Sequence, residues 1–192
     1  SEGQFTSVSA EVVCREVDCG DVETGLYYQG GGAFMTVLDG AGNDIDTSFI
    51  QTSDGGYAIT GHTISYGDSD FDIFLLKFSS TGILQWSRIL DGGSNDWGQS
   101  VIQTSDGGFA ITGGSGSYEG SDNDIILLKF SSTGALEWSR VINGEGSDFG
   151  NSLVQTSDGG YAITGHTRSY RGVDNDIILL KFDSSGYLQW SR

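Results

Sequence analysis

The apolar positions of this chain change period along a short unit that then repeats. In residues 89–140, Ser100-Val-Ile-Gln-Thr is a brief β-rich run. Ser105-Asp-Gly-Gly follows with residues that tolerate positive φ, and so predicts a tight turn. Phe109-Ala-Ile-Thr-Gly alternates large and small residues, as a half-covered strand does. After a polar loop, Asp124-Ile-Ile-Leu-Leu-Lys-Phe is apolar on both faces. It is bounded by turn residues and is too short for a globular helix, which predicts a strand inside a sheet stack. Ser131-Ser-Thr-Gly turns the chain again, and Leu136-Glu-Trp-Ser-Arg-Val-Ile alternates to the end of the unit. The pattern predicts four antiparallel strands, A to D in order, and an all-β chain.

Gln-Thr-Ser-Asp-Gly-Gly starts at Gln51, Gln103 and Gln155, and Trp86, Trp138 and Trp190 keep the same spacing. Units 37–88, 89–140 and 141–192 therefore tile the chain from residue 37 to its last residue as three 52-residue repeats. A period of this length marks an array in which each unit buries its faces against its neighbours. Residues 1–36 read as a degenerate partial unit. Phe5 stands at the position of Tyr57, Leu26-Tyr-Tyr stands for strand C, and Phe34 occupies the place of Trp86. Strands B, C and D of that unit plus three full units give fifteen strands. The strand that would complete four blades is an A strand, the one that lines the channel of a propeller.

Thr52-Ser-Asp-Gly-Gly-Tyr-Ala-Ile-Thr-Gly, Asp72-Ile-Phe-Leu-Leu-Lys, Gly82 and Trp86 recur in all three units. This pattern resembles the β-propeller repeats of many secreted and surface proteins of bacteria and archaea. The resemblance implies a propeller-like array of four-stranded blades. It further implies an extracellular, often adhesive or surface-layer setting, without a shared catalytic centre. Three clear units are fewer than the four to eight blades typical of closed propellers.

Charge narrows the partners. With 26 Asp and Glu against 9 Lys and Arg, the net charge is −17, which disfavours nucleic acid and anionic membrane surfaces. No run approaches the roughly 20 apolar residues of a membrane helix. The chain carries neither a signal-type leader nor an initiator Met, which reads as a mature, secreted product. Cys14 and Cys19 are the only cysteines. A local Cys14–Cys19 disulfide in an oxidising compartment is the expectation, ahead of two free thiols, and a metal site would need more ligands nearby.

Four residue sets carry candidate chemistry. Trp86, Trp138 and Trp190 fit packing between blades, along with Phe78, Phe130 and Phe182 or Leu75, Leu127 and Leu179; a sugar-stacking platform is the alternative. Asp70, Asp72, Asp122, Asp124, Asp174 and Asp176 gather with Asp44, Asp96 and Asp148 at one end of the blades. They either cap turns or supply hard oxygen ligands for calcium, although EF-hand spacing is absent. Lys77, Lys129 and Lys181 lie inside an apolar strand, so each needs an acidic partner or an exit to solvent. His62 and His166 are equivalent, but Gly114 holds the third position. No nucleophile motif or phosphate loop is present, and carboxylates in equivalent copies do not look like one asymmetric active site.

The expectation is a non-enzymatic extracellular structural or adhesive repeat protein that self-associates through unpaired strand edges. The edge at Phe5 to Val12, which carries only Glu11 as a charge, is one candidate. The alternative is a propeller that binds a cell-surface glycan or protein through its acidic loop face, with calcium as cofactor.

Overall fold

A computed structural model describes residues 6–8, 23–29, 33–39, 42–65, 69–118, 122–170 and 174–192. Among these residues there are fifteen strands and no helix. Strands β1 (Thr6–Val8), β2 (Glu23–Gln29) and β3 (Ala33–Asp39) precede the repeats. The first repeat forms β4 (Asp44–Gln51), β5 (Tyr57–Thr63), β6 (Asp72–Phe78) and β7 (Leu84–Leu90). The second forms β8 (Asp96–Gln103), β9 (Phe109–Ser115), β10 (Asp124–Phe130) and β11 (Leu136–Asn143). The third forms β12 (Asp148–Gln155), β13 (Tyr161–Thr167), β14 (Asp176–Phe182) and β15 (Leu188–Ser191). Each repeat is one antiparallel sheet with its strands in chain order. Strand A starts earlier than the apolar run suggested, at Asp96 rather than Ser100, because Asp96-Trp-Gly already pairs with Gly113 to Ser115.

The turns follow from their residues. In the A–B turn the Thr52 N–H donates to the Gly56 carbonyl at 2.9 Å, and the Gly55 N–H donates back to the Thr52 carbonyl at 2.8 Å. Gly55 sits at φ 79°, a left-handed conformation that a Cβ would strain. Each A strand carries a bulge, between Asp46 and Ser48, Gly98 and Ser100, or Gly150 and Ser152. A bulge twists its strand more sharply and re-aims the residues around it.

The core lies between the sheets. Ala58, Ile73 and Leu75 of the first sheet meet Val101, Phe109, Ile111 and Leu128 of the second. Ala110, Ile125, Leu127 and Ile142 of the second meet Leu153, Tyr161, Ile163 and Leu180 of the third. Asp-Ile-Ile-Leu-Leu-Lys-Phe occurs identically in β10 and β14, yet only β10 is buried at all seven positions. Place in the stack, not sequence, decides that burial: β10 has a sheet on either side. Ile125 and Leu127 are fully buried, whereas their repeats Ile177 and Leu179 are 87% and 40% exposed. The expectation that Leu179 and the three tryptophans are buried is therefore corrected: Leu179 and Trp190 are exposed, and Trp86 and Trp138 are half-buried.

The N-terminal segment departs from the repeat pattern. β2 and β3 form a hairpin, matching the expected C and D strands of the partial unit. β1, at the position of a B strand, instead joins the outer edge of the second sheet. Thr6, Ser7 and Val8 pair with Asn143, Ile142 and Val141 of β11. The rest of the expected Phe5–Val12 edge, and Cys14 and Cys19, lie outside the described residues.

Candidate functional site

The polar residues of the repeat are distributed over two ends of the sheets. At the A–B turn end, Lys77, Lys129 and Lys181 project from inside the C strands to Asp54, Asp106 and Asp158, each at 2.9 Å. The lysine partner is thus the Asp of Ser-Asp-Gly-Gly. The same carboxylate accepts the Thr52 hydroxyl and the Gly56 N–H in the first repeat, and the equivalents in the others. The Thr104 hydroxyl and Lys129 hold Asp106 down to about 2 despite partial desolvation. Asp54 and Asp158 are lowered by the same threonine and lysine contacts. Burial works against the Lys129 charge, but hydrogen bonds to Asp106 and Glu137 outweigh it and raise its pKa. Each ammonium also donates to a strand carbonyl, Phe78, Phe130 or Phe182. A lysine inside an apolar strand is satisfied here by at least one carboxylate and one carbonyl, so these cations are structural.

At the opposite end the D–A loops bring carboxylates between the sheets. Asp96 is 4% exposed, and it accepts the Ser117 hydroxyl at 3.0 Å and the Gly92 N–H at 3.0 Å. Burial raises Asp96 to about 6, and Asp70 adds to the rise, while the Ser115 and Ser117 hydroxyls and Gly92 oppose it. Asp148 repeats the arrangement with Thr167 and Ser169, and burial again raises it. Asp124 is raised to about 6, first by burial and then by Asp148 and Asp122, against one backbone hydrogen bond from Gly144. The backbone joins the sheets at the same place. The Asp96 N–H donates to the Phe71 carbonyl and the Asp148 N–H to the Asn123 carbonyl, both at 2.6 Å. Asp44, the equivalent residue of the first sheet, accepts Thr63 and Ser65 hydroxyls but is exposed.

The six predicted ligands divide accordingly. Asp72 and Asp124 are buried at the start of their C strands, Asp70 is half-buried, and Asp122, Asp174 and Asp176 are exposed. Among the described residues no three His, Cys, Asp or Glu side chains come together as a metal-binding group. What the sheet junctions bring together is pairs of carboxylates with serine and threonine hydroxyls, an arrangement suited to holding a proton at mildly acid pH.

The aromatic residues join adjacent sheets. Trp86 meets Phe109 edge-on at 5.6 Å, and Trp138 meets Tyr161 at 5.7 Å. Arg140 covers Trp138 at 5.0 Å and donates from Nη2 to the Ser185 carbonyl at 2.7 Å, while Arg88 donates to the carbonyls of Thr133 and Gly134. Gln103 Oε1 accepts the Ser53 N–H at 2.7 Å, and Gln155 Oε1 accepts the Ser105 N–H at 2.8 Å. The third histidine position also has a physical account. A Cβ on Gly114 would lie 2.4 Å from the Phe149 ring, which fills the space a histidine would take. Phe149 in turn stacks on His166 at 5.2 Å, and His62 meets Phe71 edge-on at 5.0 Å.

Sequence reasoning missed the Arg–turn and Gln–turn contacts between sheets. Their signal was present, since Trp-Ser-Arg and Gln-Thr-Ser-Asp recur at one spacing in every unit. Neither a protein-family model nor a curated protein matches the chain.

Proposed function

We propose that this chain is a non-enzymatic, extracellular structural or adhesive module, a propeller-like array of blades that self-associates through blade edges. The observation that carries this reading is β1 on β11. The outer edge of a D strand takes up a short extra strand, while the equivalent strands β7 and β15 end their sheets. A sheet edge with open N–H and C=O groups is a template for strand addition by another chain. The recurrence of every polar cluster as a turn, an ion pair or a sheet junction supports a structural role over catalysis.

The second reading is ligand binding at the acidic loop end, with calcium as a possible cofactor and a cell-surface glycan or protein as partner. Buried carboxylates at Asp96, Asp124 and Asp148 favour it, because a cation can replace a proton between them. Size-exclusion chromatography with light scattering, with calcium or chelator, combined with a glycan array, separates the two. Self-association independent of calcium and no glycan binding supports the first. A monomer that binds glycans only in calcium replaces it with the second. Deleting residues 1–12 tests the edge: it should change the assembly while the three repeats stay folded.

A further inference from the structure

At the loop end, aromatic rings run in a row across the three sheets. His62 of β5 meets Phe71, the residue before β6, edge-on at 5.0 Å, and Phe71 meets Trp97 of β8 at 6.2 Å. Trp97 meets Phe149 of β12 at 5.7 Å, and Phe149 stacks on His166 of β13 at 5.2 Å. All of these side chains are half-buried, so the row is part of the surface. It also breaks the repeat. Trp97 and Phe149 stand where the first repeat has Ile45, and Phe71 stands where the others have Asn123 and Asn175. Gly114 replaces the histidine of the other two repeats and leaves the space that the Phe149 ring occupies. A ring needed only to hold one sheet on the next would recur with the repeat, as Trp86 and Trp138 do.

The charges of the molecule are sorted by end. Lys77, Lys129 and Lys181 bond the aspartates of the A–B turns, Arg88 and Arg140 bond the C–D turns, and Arg192 lies over Trp190. At the loop end Asp44, Asp46, Asp122, Glu145 and Asp174 are exposed, and Asp96 and Asp148 directly precede Trp97 and Phe149. Among the described residues Arg168 is the cation of that end, and its Nε donates to Asn175 Oδ1 at 2.7 Å. Aromatic faces rimmed by carboxylates attract ammonium and guanidinium groups twice over, through the ring quadrupole and through charge. The same rim repels anionic ligands.

We propose that the row from Phe71 through Trp97 and Phe149 docks an extended, lysine- and arginine-rich segment of a partner protein. The row is long and narrow, which suits an extended chain better than a single small cation. In such a chain alternate side chains share one face and fall roughly 7 Å apart, close to the spacing of the rings. A second copy of this chain does not supply the segment, since no two of its nine Lys and Arg are two residues apart. The surface adds a partner to the module proposed above and does not depend on its self-association.

The test is isothermal titration of a synthetic peptide of alternating lysine and serine into the intact chain and three variants. Trp97→Leu and Phe71→Leu keep apolar bulk but remove the ring, and melting curves verify that each is folded; Phe71 lies in a loop and serves if Trp97→Leu does not fold. Tyr187→Leu removes an exposed ring at the turn end, 53% exposed, as the control. The intact chain should bind the peptide, and added salt should weaken the binding. Each row variant should lower the affinity by about three- to tenfold, the worth of one cation–π contact, while Tyr187→Leu leaves it unchanged. Binding that folded row variants do not weaken would assign it to the carboxylates alone and overturn the docking row. Equal loss in Tyr187→Leu, or no binding at all, would overturn it too. A neutral oligosaccharide that binds in place of the peptide, and is lost in Trp97→Leu, would replace the basic segment with a glycan. Sedimentation of the same variants keeps the result separate from self-association, which the row variants should leave unaltered.

Discussion

Trp138 lies edge-on against Tyr161 of the next sheet, with ring centroids 5.7 Å apart at 74°. Trp86 and Phe109 repeat the relationship at 5.6 Å and 72°. The two pairs are the aromatic part of successive, equivalent sheet-to-sheet junctions, and Arg140 lies over Trp138 while bonding the turn of the next sheet. Trp190 belongs to the last sheet and is 39% exposed. One residue type at one repeat position should therefore give two outcomes. Trp138→Ala should cost about 3 kcal/mol, at the lower end for large aromatic truncations because the ring is half-buried. Trp190→Ala should cost about 0.5 kcal/mol or less in the monomer, as at surface sites. Urea unfolding of both variants checks the difference. Equal costs would mean that the position acts within its own sheet and not between sheets.

The three lysines offer a graded comparison. Lys77 has one carboxylate partner, Asp54, while Lys129 has Asp106 and also Glu137. Asn at the turn position keeps an oxygen for the threonine hydroxyl and the glycine N–H but removes the charge. Asp54→Asn should therefore lower the melting temperature more than Asp106→Asn, since only the first leaves a buried ammonium without any anion. Differential scanning calorimetry of the pair measures it, and the reverse order would show that the turn, not the ion pair, sets the cost.

Much of this architecture was legible in the chain because local signals agree with the tertiary arrangement. The A–B turn glycines, the double-sided apolar C strand and the Trp spacing each point to a repeated four-stranded sheet, and the C strands at Asp72, Asp124 and Asp176 begin where the pattern places them. The exposure of Ile177 was not legible. Its local sequence is that of Ile125, and only the presence of a following sheet distinguishes them. The pairing of β1 with β11 was equally hidden, since a three-residue strand carries no register information beyond its own side chains. The division of the aspartates into lysine partners and junction carboxylates depends on which end of the sheet each loop occupies. Spacing supplied the end but not the partner.

Stability should depend on pH in two opposite senses. Asp96 and Asp124 have folded pKa values raised to about 6, and Asp148 is raised too. Between the unfolded carboxylate range and about 6 the folded state holds more protons than the unfolded one, so stability falls as pH rises through that window. Asp54, Asp106 and Asp158 are lowered. Their contribution is present above the unfolded range and is lost as pH falls through their folded values, near about 2 for Asp106. The melting temperature should therefore peak in mildly acid solution, near about pH 4, and decline on both sides. Melting curves at constant ionic strength check this. Asp96→Asn, which fixes a neutral side chain among Ser115, Ser117 and Gly92, should flatten the decline between pH 4 and 6. An unchanged decline would place its origin in net charge alone.

The last expectation concerns Gly114 and Phe149. A Cβ at Gly114 would stand 2.4 Å from two atoms of the Phe149 ring, whereas the first and third repeats have histidine at this position. The repeat has thus exchanged a histidine for room to seat the aromatic residue of the next sheet. Gly114→Ala should cost about 1–3 kcal/mol, as overpacking does in a settled core. Phe149→Ala alone should also destabilise, by losing contacts with Trp97 and His166. If the two residues share one space, the double variant should be less destabilised than the sum of the singles, by about 1 kcal/mol or more. Denaturant unfolding of the four proteins closes the cycle. Strict additivity would mean that the Gly114 backbone, and not its space, is what the junction requires.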